Sequence, residues 1–211
     1  MGLIGRLLKA AQERQLRDAR TIRTGKNKGK VIAKISGAER ERLERAGRER
    51  ALIYKFMMLT GLRRNEVASL TVGALHLDES SPYVVVEGRH AKSGRAAMLP
   101  LREDLADDLR KHIARAGATQ DTPLFHLGRN FLRTFNLDLA AAGIPKRDSQ
   151  GRTVDVHSLR HTFATLLARG GVSPTVAQKL MRHSDIRLTM NTYTHLELAD
   201  TAGAVAGLGG V

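Results

Sequence analysis

The chain has 211 residues, about the length of one domain and enough for a single sizeable core. Its 35 Lys and Arg against 21 Asp and Glu give a formal charge of +14, which makes nucleic acid the first partner to consider and an acidic membrane surface the second. The lack of cysteine excludes a disulfide scaffold, a thiol nucleophile and a Cys-ligated metal, 4% aromatics without Trp argue against a stacking platform for single strands, and no apolar run approaches the ~18 residues of a membrane span. The first residues lack a signal peptide's apolar stretch, and Arg6 stands where a myristoylation motif needs Ser or Thr. The expectation is a soluble, cytoplasmic, basic protein without a membrane partner.

Residues 1–35 hold ten Lys or Arg against Glu13 and Asp18. Leu3, Ile4, Leu7, Leu8 and Ala11 recur at helical spacing, which assigns Arg6, Lys9, Arg14 and Arg17 to other faces. This amphipathic helix either packs on the domain or stays free for a membrane or partner. Residues 24–30, with Lys26, Lys28 and Lys30, form a cationic Gly-containing loop: a solvated charge run or a DNA-backbone contact. The pattern over 38–59 predicts a helix, charge-laced at its start and nearly all apolar from Ala51 to Leu59, with Gly61 suited to its C-terminal cap. Residues 63–70 read as a short helix. The β-branched run at 83–87 and the segment 96–99 predict a hairpin whose basic tip contains Arg89, His90, Lys92 and Arg95. Helices follow at 102–116, 128–142, 157–169, 173–181 and 185–192, and the short tail after Tyr193 reads as a weak or frayed helix.

Three constellations carry chemistry. On a helix, His157 and Arg160 share a face. His157 and His161 are four apart, but Ser158 replaces the Glu of a metalloprotease helix and Arg160 would set a cation beside the metal, so an anion site fits better than zinc. Arg63 directly follows the break at Gly61, which anchors its backbone; Glu66 is placed to fix an Arg side chain or the turn, and Arg64 points to solvent. Tyr193 sits in a polar string with Thr189, Asn191, Thr192, Thr194 and His195, which argues for a hydroxyl with access to a polar site.

These strings occur together in one order: Thr60, Gly61, Leu62, Arg63 and Glu66; His157, Leu159, Arg160 and His161; His183, Ser184, Asp185 and Ile186; Tyr193, Thr194 and His195. With the basic hairpin between the first and second, residues 38–198 resemble the catalytic domain of the tyrosine recombinases, the phage-integrase family that includes the Xer recombinases. The resemblance implies an α+β, mostly helical fold with a small antiparallel β-sheet near 72–100. It makes Arg63, Lys92, His157, Arg160 and His183 catalytic, Tyr193 the nucleophile and Glu66 a support for Arg63. It implies DNA strand exchange through a 3′-phosphotyrosyl intermediate, no metal or other cofactor, double-stranded DNA as partner, and further recombinase subunits assembled on that DNA. Arg64, Arg89, Arg95, Lys26, Lys28 and Lys30 are candidates for DNA contact. Residues 1–37 would be a basic helix and loop, 199–211 a short tail, and the family's N-terminal core-binding domain is expected to be absent.

Arg182 stands before His183 where the family usually has glycine, so the local turn is expected to differ. Competing readings are a type IB topoisomerase-like activity, a non-catalytic DNA-binding module, and a generic RNA- or ribosome-binding protein, which explains the charge but not the ordered motifs.

Overall fold

The computed structural model describes residues 2–90, 96–148 and 151–193. Its longest helix begins where Ser36 Oγ accepts the Glu39 amide at 3.1 Å, satisfying one of the free donors at the start of α2 (Gly37–Thr60). The exposed first half is laced by Arg42–Glu39 and Arg40–Glu44 pairs at 2.7 and 2.8 Å. The second half turns Ile53, Tyr54, Phe56 and Met57 into the core. Gly61 ends the helix in the left-handed conformation, φ 63°.

Helix α1 (Leu3–Arg20) lies along α2 and contributes Leu7 and Ala11 to the same core. Of the two sequence readings, the packed helix is the one observed. The helices meet backbone to backbone: a Cβ on Gly47 would sit 2.1 Å from the Gln12 carbonyl oxygen. The Arg50 guanidinium donates to the Ala11 carbonyl. Arg14 corrects its assignment to an outer face. It is buried, with Nε 2.6 Å from Oδ1 of Asp138 on α5 (Phe131–Ala141). Asp138 Oδ2 lies 2.8 Å from Arg50 Nε and accepts the Tyr54 hydroxyl at 2.8 Å. One fully buried carboxylate thus joins α1, α2 and α5. Helical periodicity sorts residues by face, and it could not reveal a partner 124 positions away.

After α1 the chain makes a tight cationic loop. The Ile22 amide donates to the Lys30 carbonyl at 2.9 Å and the Gly29 amide to Ile22 at 2.8 Å, which leaves Lys26, Lys28 and Lys30 exposed at its tip.

The expected hairpin belongs to a three-stranded antiparallel sheet, β1 (Leu75–His76), β2 (Tyr83–Val86) and β3 (Ala97–Pro100), in that order. Val84 pairs with Leu99 and both are buried, whereas Met98 faces solvent, the alternation of a sheet with one wet face. Lys92 and Arg95 lie outside the described residues. Arg89 is exposed beside Glu87.

Short helix α3 (Arg64–Ala68) precedes the sheet, and α4 (Glu103–Ala116) follows it. α4 is tied to α2 by Lys55 Nζ, 2.9 Å from Asp104 and 2.7 Å from Asp108. Helices α6 (Ser158–Arg169), α7 (Pro174–Met181) and α8 (Ile186–Tyr193) complete the described chain, with α6 packed on α2 and in contact with both α7 and α8. The fold is α+β and mostly helical, as expected. Among the described residues no helix is long and apolar enough to cross a membrane.

Replacing Asp138 by Ala leaves Arg14 and Arg50 buried without their carboxylate. Breaking such a group costs about 3–5 kcal/mol. Urea unfolding of Asp138→Ala is expected to show a stability lowered by that amount. A midpoint equal to the parent's would mean that the network does not hold α1 to the domain.

Candidate active site

The first element of the site is the turn from α2 into α3. A Cβ on Gly61 would lie 2.5 Å from the Phe163 ring, so the turn is pressed against α6. Leu62 is fully buried beside it and pins the stretch of chain that presents Arg63. The Arg63 amide donates to Glu66 Oε2 at 2.7 Å, and its Nη1 lies 3.2 Å from Oε1. Glu66 therefore does both things allowed to it by its spacing: it caps the helix and holds the arginine side chain. It is buried, whereas the Arg63 side chain keeps 31% of its surface exposed. Arg64 is exposed, with Nε on the Asn65 side chain at 3.3 Å.

The second element is the start of α6. Asp155 Oδ1 accepts the amides of His157 at 2.8 Å and Ser158 at 3.2 Å, and Ser158 Oγ accepts the Asp155 amide at 3.1 Å. This reciprocal cap sets where the helix begins and so fixes His157. The Asp-x-x-Ser spacing of residues 155–158 was a signal for it that sequence reasoning passed over. One turn on, Arg160 is 2% exposed. Its Nη1 donates to the Gly61 carbonyl and its Nη2 to the Met181 carbonyl, so one guanidinium brackets the turn before Arg63 and the turn before His183. Burial first, then the charges of Arg63 and Arg182, push the Arg160 guanidinium down to about 10. It remains a cation at neutral pH. The rings of His157 and His161 meet edge-on at 5.0 Å. Burial, followed by His161 and Arg160, holds His157 below its usual value.

The third element is the turn from α7 into α8. Helix α7 opens on Ser173 with Pro174 in its first turn and closes at Arg182, φ 54°. The turn was expected to differ from the family's glycine turn. In the structure Arg182 takes the left-handed conformation that glycine adopts readily, φ 54°. Its side chain folds inward, with Nη2 on Glu66 Oε2 at 2.8 Å. His183 Nδ1 shares a hydrogen bond of 3.0 Å with Oγ1 of Thr189, which is buried on α8. Desolvation, then Arg160 and Arg63, push the His183 imidazole down to about 4. The Tyr193 hydroxyl, at the end of α8, donates to the Val172 carbonyl. Burial raises its pKa.

Arg63, His157 and Arg160 line one cavity of about 350 Å³, together with Arg64, Asn136, Lys146 and Asp155. His183 feels the same cations. Tyr193 is not hydrogen-bonded to this cluster; its hydroxyl is occupied by Val172. Arg89, Lys26, Lys28 and Lys30 stand on exposed surface elsewhere. Sequence reasoning missed Asp155 and Lys146, placed Thr189 only in the polar string around Tyr193, and took Arg182 for a departure in the turn rather than a member of the site. Lys146 Nζ donates to the Asn136 side chain and the Val154 carbonyl, both at 2.7 Å. Among the described residues no group of three His, Asp or Glu side chains is placed to hold a metal ion.

Burial and the neighbouring cations lower the pKa of both His157 and His183, that of His183 to about 4. A histidine whose folded pKa lies below its unfolded ~6.5 leaves the unfolded state binding more protons, so stability present above that pH is lost on acidification. For His183 the window runs from the unfolded value down to about 4. NMR titration is expected to find the His183 midpoint well below that of an exposed histidine, and the unfolding midpoint to fall across the same window. A midpoint in the ordinary histidine range would contradict the burial of the ring and the placement of the arginines beside it.

The chain matches the model of the phage integrase family over residues 28–199. It is 35% identical over 182 residues to the tyrosine recombinase XerC of Erythrobacter litoralis, a match covering 78% of this chain and 56% of that protein. Its fold is similar to that of a XerH site-specific recombinase bound to a palindromic difH substrate, with TM-score 0.62, 16% identity, and coverage of 97% of this chain and 51% of the other. It is also similar to the catalytic domain of bacteriophage HP1 integrase, with TM-score 0.57, 21% identity, and coverage of 97% and 90%. The chain spans about half the length of the curated relatives it matches. With the match extending over most of its length and the site motifs inside it, the chain belongs to the phage integrase family, the tyrosine recombinases.

Proposed function

We propose that this chain is the catalytic part of a site-specific recombinase that cuts and rejoins double-stranded DNA through a 3′-phosphotyrosyl intermediate. The observation that carries this reading is the convergence of Arg63, His157 and Arg160 on one cavity, with His183 in the same field. Planar, permanently charged guanidiniums suit the non-bridging oxygens of a phosphodiester, and their positive field stabilises the charge that builds as the phosphorus becomes five-coordinate. An imidazole with one bare nitrogen and one N–H can accept a hydrogen bond at one ring position and donate one from the other, which suits His157 to take up the tyrosine's proton and His183 to hydrogen-bond a phosphate oxygen.

In the proposed reaction the Tyr193 hydroxyl leaves the Val172 carbonyl and attacks phosphorus, His157 helps to remove its proton, and His183 donates to a phosphate oxygen. The tyrosine-phosphorus bond forms as the bond to the 5′ oxygen breaks. Lys92, assigned by resemblance and outside the described residues, protonates that oxygen. The reverse reaction with a new 5′ hydroxyl rejoins the strand. The phosphodiester energy stays in the covalent adduct, and the arginines do what a metal ion would otherwise do.

The proposed catalytic domain is 38–198, with 1–37 as a basic arm and 199–211 as a tail. Arg64, Arg89 and the loop Lys26, Lys28 and Lys30, all exposed, are proposed DNA contacts, as is Arg95, which follows Arg89 in the hairpin sequence. The protein would work in the cytoplasm, on DNA, with further recombinase subunits assembled there.

A nicked suicide duplex drawn from the ends of the encoding element tests the chemistry. The parent is expected to form a denaturation-stable adduct and Tyr193→Phe none. Arg63→Ala should slow adduct formation about 10²–10³-fold, the usual effect of removing one transition-state donor. An adduct with Tyr193→Phe would assign the nucleophile elsewhere, and site-specific binding by the parent without any adduct would favour a non-catalytic DNA-binding module. Changing Lys26, Lys28 and Lys30 together to Gln should weaken duplex binding and reduce the slope of log K against log salt by about 0.9 for each phosphate no longer neutralised. An unchanged slope would remove this loop from the interface.

A further inference from the structure

Arg182 combines two costs that its neighbours do not share. It is the one non-glycine among the described residues with positive φ, 54°, a conformation that crowds any Cβ against the backbone. Its side chain is nine-tenths buried, and two of its donors, Nε and Nη1, meet no acceptor. Glycine at this position would remove both costs. Buried donors without partners and a strained backbone together mark places where a structure does something other than maximise stability.

What Arg182 does hold is the carboxylate that organises Arg63. Its Nη2 lies 2.8 Å from Glu66 Oε2, the same oxygen that accepts the Arg63 amide at 2.7 Å. Glu66 Oε1 faces the Arg63 guanidinium at 3.2 Å. Glu66 is therefore gripped between an arginine that is nearly fully buried and one that is partly open. Arg160 joins the same unit by another route, through the carbonyl of Met181, the residue before Arg182. Arg63 and Arg182 share one carboxylate, and Arg160 lies beside them, which leaves an excess of positive charge at the cavity.

We propose that Arg182 is a positioning residue for the phosphate site: by clamping Glu66 it holds the Arg63 backbone and guanidinium in the orientation that receives a phosphate, and it adds a buried positive charge that a bound phosphate offsets. The proposal rests on the reading of the cavity as a phosphate site. Arg182 acts through Glu66 and need not touch the reacting atoms. The clamp works only because the chain accepts an arginine in a left-handed turn, which aims the side chain back across α3.

Three variants of the full chain, Arg182→Gly, Arg182→Lys and Arg63→Ala, separate the possibilities, with orthovanadate as the phosphate probe. Two properties are read: amide exchange at Arg63, and orthovanadate affinity by vanadium NMR. Glycine suits the turn, so Arg182→Gly is expected to keep the parent's thermal midpoint within a few degrees. It should nonetheless exchange the Arg63 amide at least about tenfold faster and bind orthovanadate at least about tenfold more weakly, the scale of one charge-assisted hydrogen bond. Lysine keeps the charge and can reach Glu66, so Arg182→Lys should recover much of both, although it bears the turn's strain. That split, with glycine stable but loose and lysine strained but competent, would not arise from a purely structural role. An Arg182→Gly protein with parental Arg63 exchange and parental orthovanadate affinity overturns the proposal. Orthovanadate binding that is unchanged in Arg63→Ala counts against the phosphate-site reading instead, and the amide exchange then decides the clamp by itself.

Discussion

The site depends on the two bonds of the Arg160 guanidinium to the carbonyls of Gly61 and Met181. These carbonyls close two turns that are distant in sequence, one leading to Arg63 and the other to His183. A guanidinium has donors in a fixed planar fork, so it sets the separation and orientation of the two acceptors together. A lysine in its place would offer a single rotatable point charge. Arg160 is therefore a brace as well as a cation: the interaction that buries it also brings the other cations of the site within range of one another.

That proximity has an electrostatic consequence. Positive groups crowded in a half-buried cavity raise one another's free energy, and the molecule answers in two ways. Glu66 supplies one negative charge, shared between Arg63 and Arg182. Burial, with the neighbouring cations, lowers the pKa of both His157 and His183, that of His183 to about 4. The remaining excess is what an incoming phosphate would neutralise. A site balanced by its own carboxylates would have little reason to bind one.

The scaffold solves a related problem differently. Asp138 is as buried as any apolar residue of the core and faces Arg14, Arg50 and the Tyr54 hydroxyl, while Asp18 supplies a second carboxylate to Arg14. Here the charges face each other across three helices and need no ligand. The tight approach of α1 to α2 at Gly47 makes the network possible, because the Arg50 guanidinium can reach the Ala11 carbonyl only when the two backbones lie this close. The basic N-terminal helix is thus built into the same core that supports the site. Tyr193 sits at the end of α8, with its hydroxyl held by Val172.

Much of this was legible in the sequence because it is local. Periodicity and Gly61 located α2; the β-branched run of residues 83–87 located β2; and the order of the motifs around Arg63, His157, Arg160, His183 and Tyr193 pointed to the family. What the sequence could not show are relations between distant side chains. Arg14 looked like surface charge because its partner lies on α5. Arg182 looked like an interruption of a glycine turn because its partner, Glu66, is 116 positions away. Composition and spacing determined that this is a basic, mostly helical protein, and the order of its motifs gave the resemblance to the tyrosine recombinases that implied a set of cations and a tyrosine. Only the tertiary structure decided which cation braces, which stays open, and which carboxylate they share, because those choices depend on distances of a few ångströms across helix contacts that no one-dimensional pattern records.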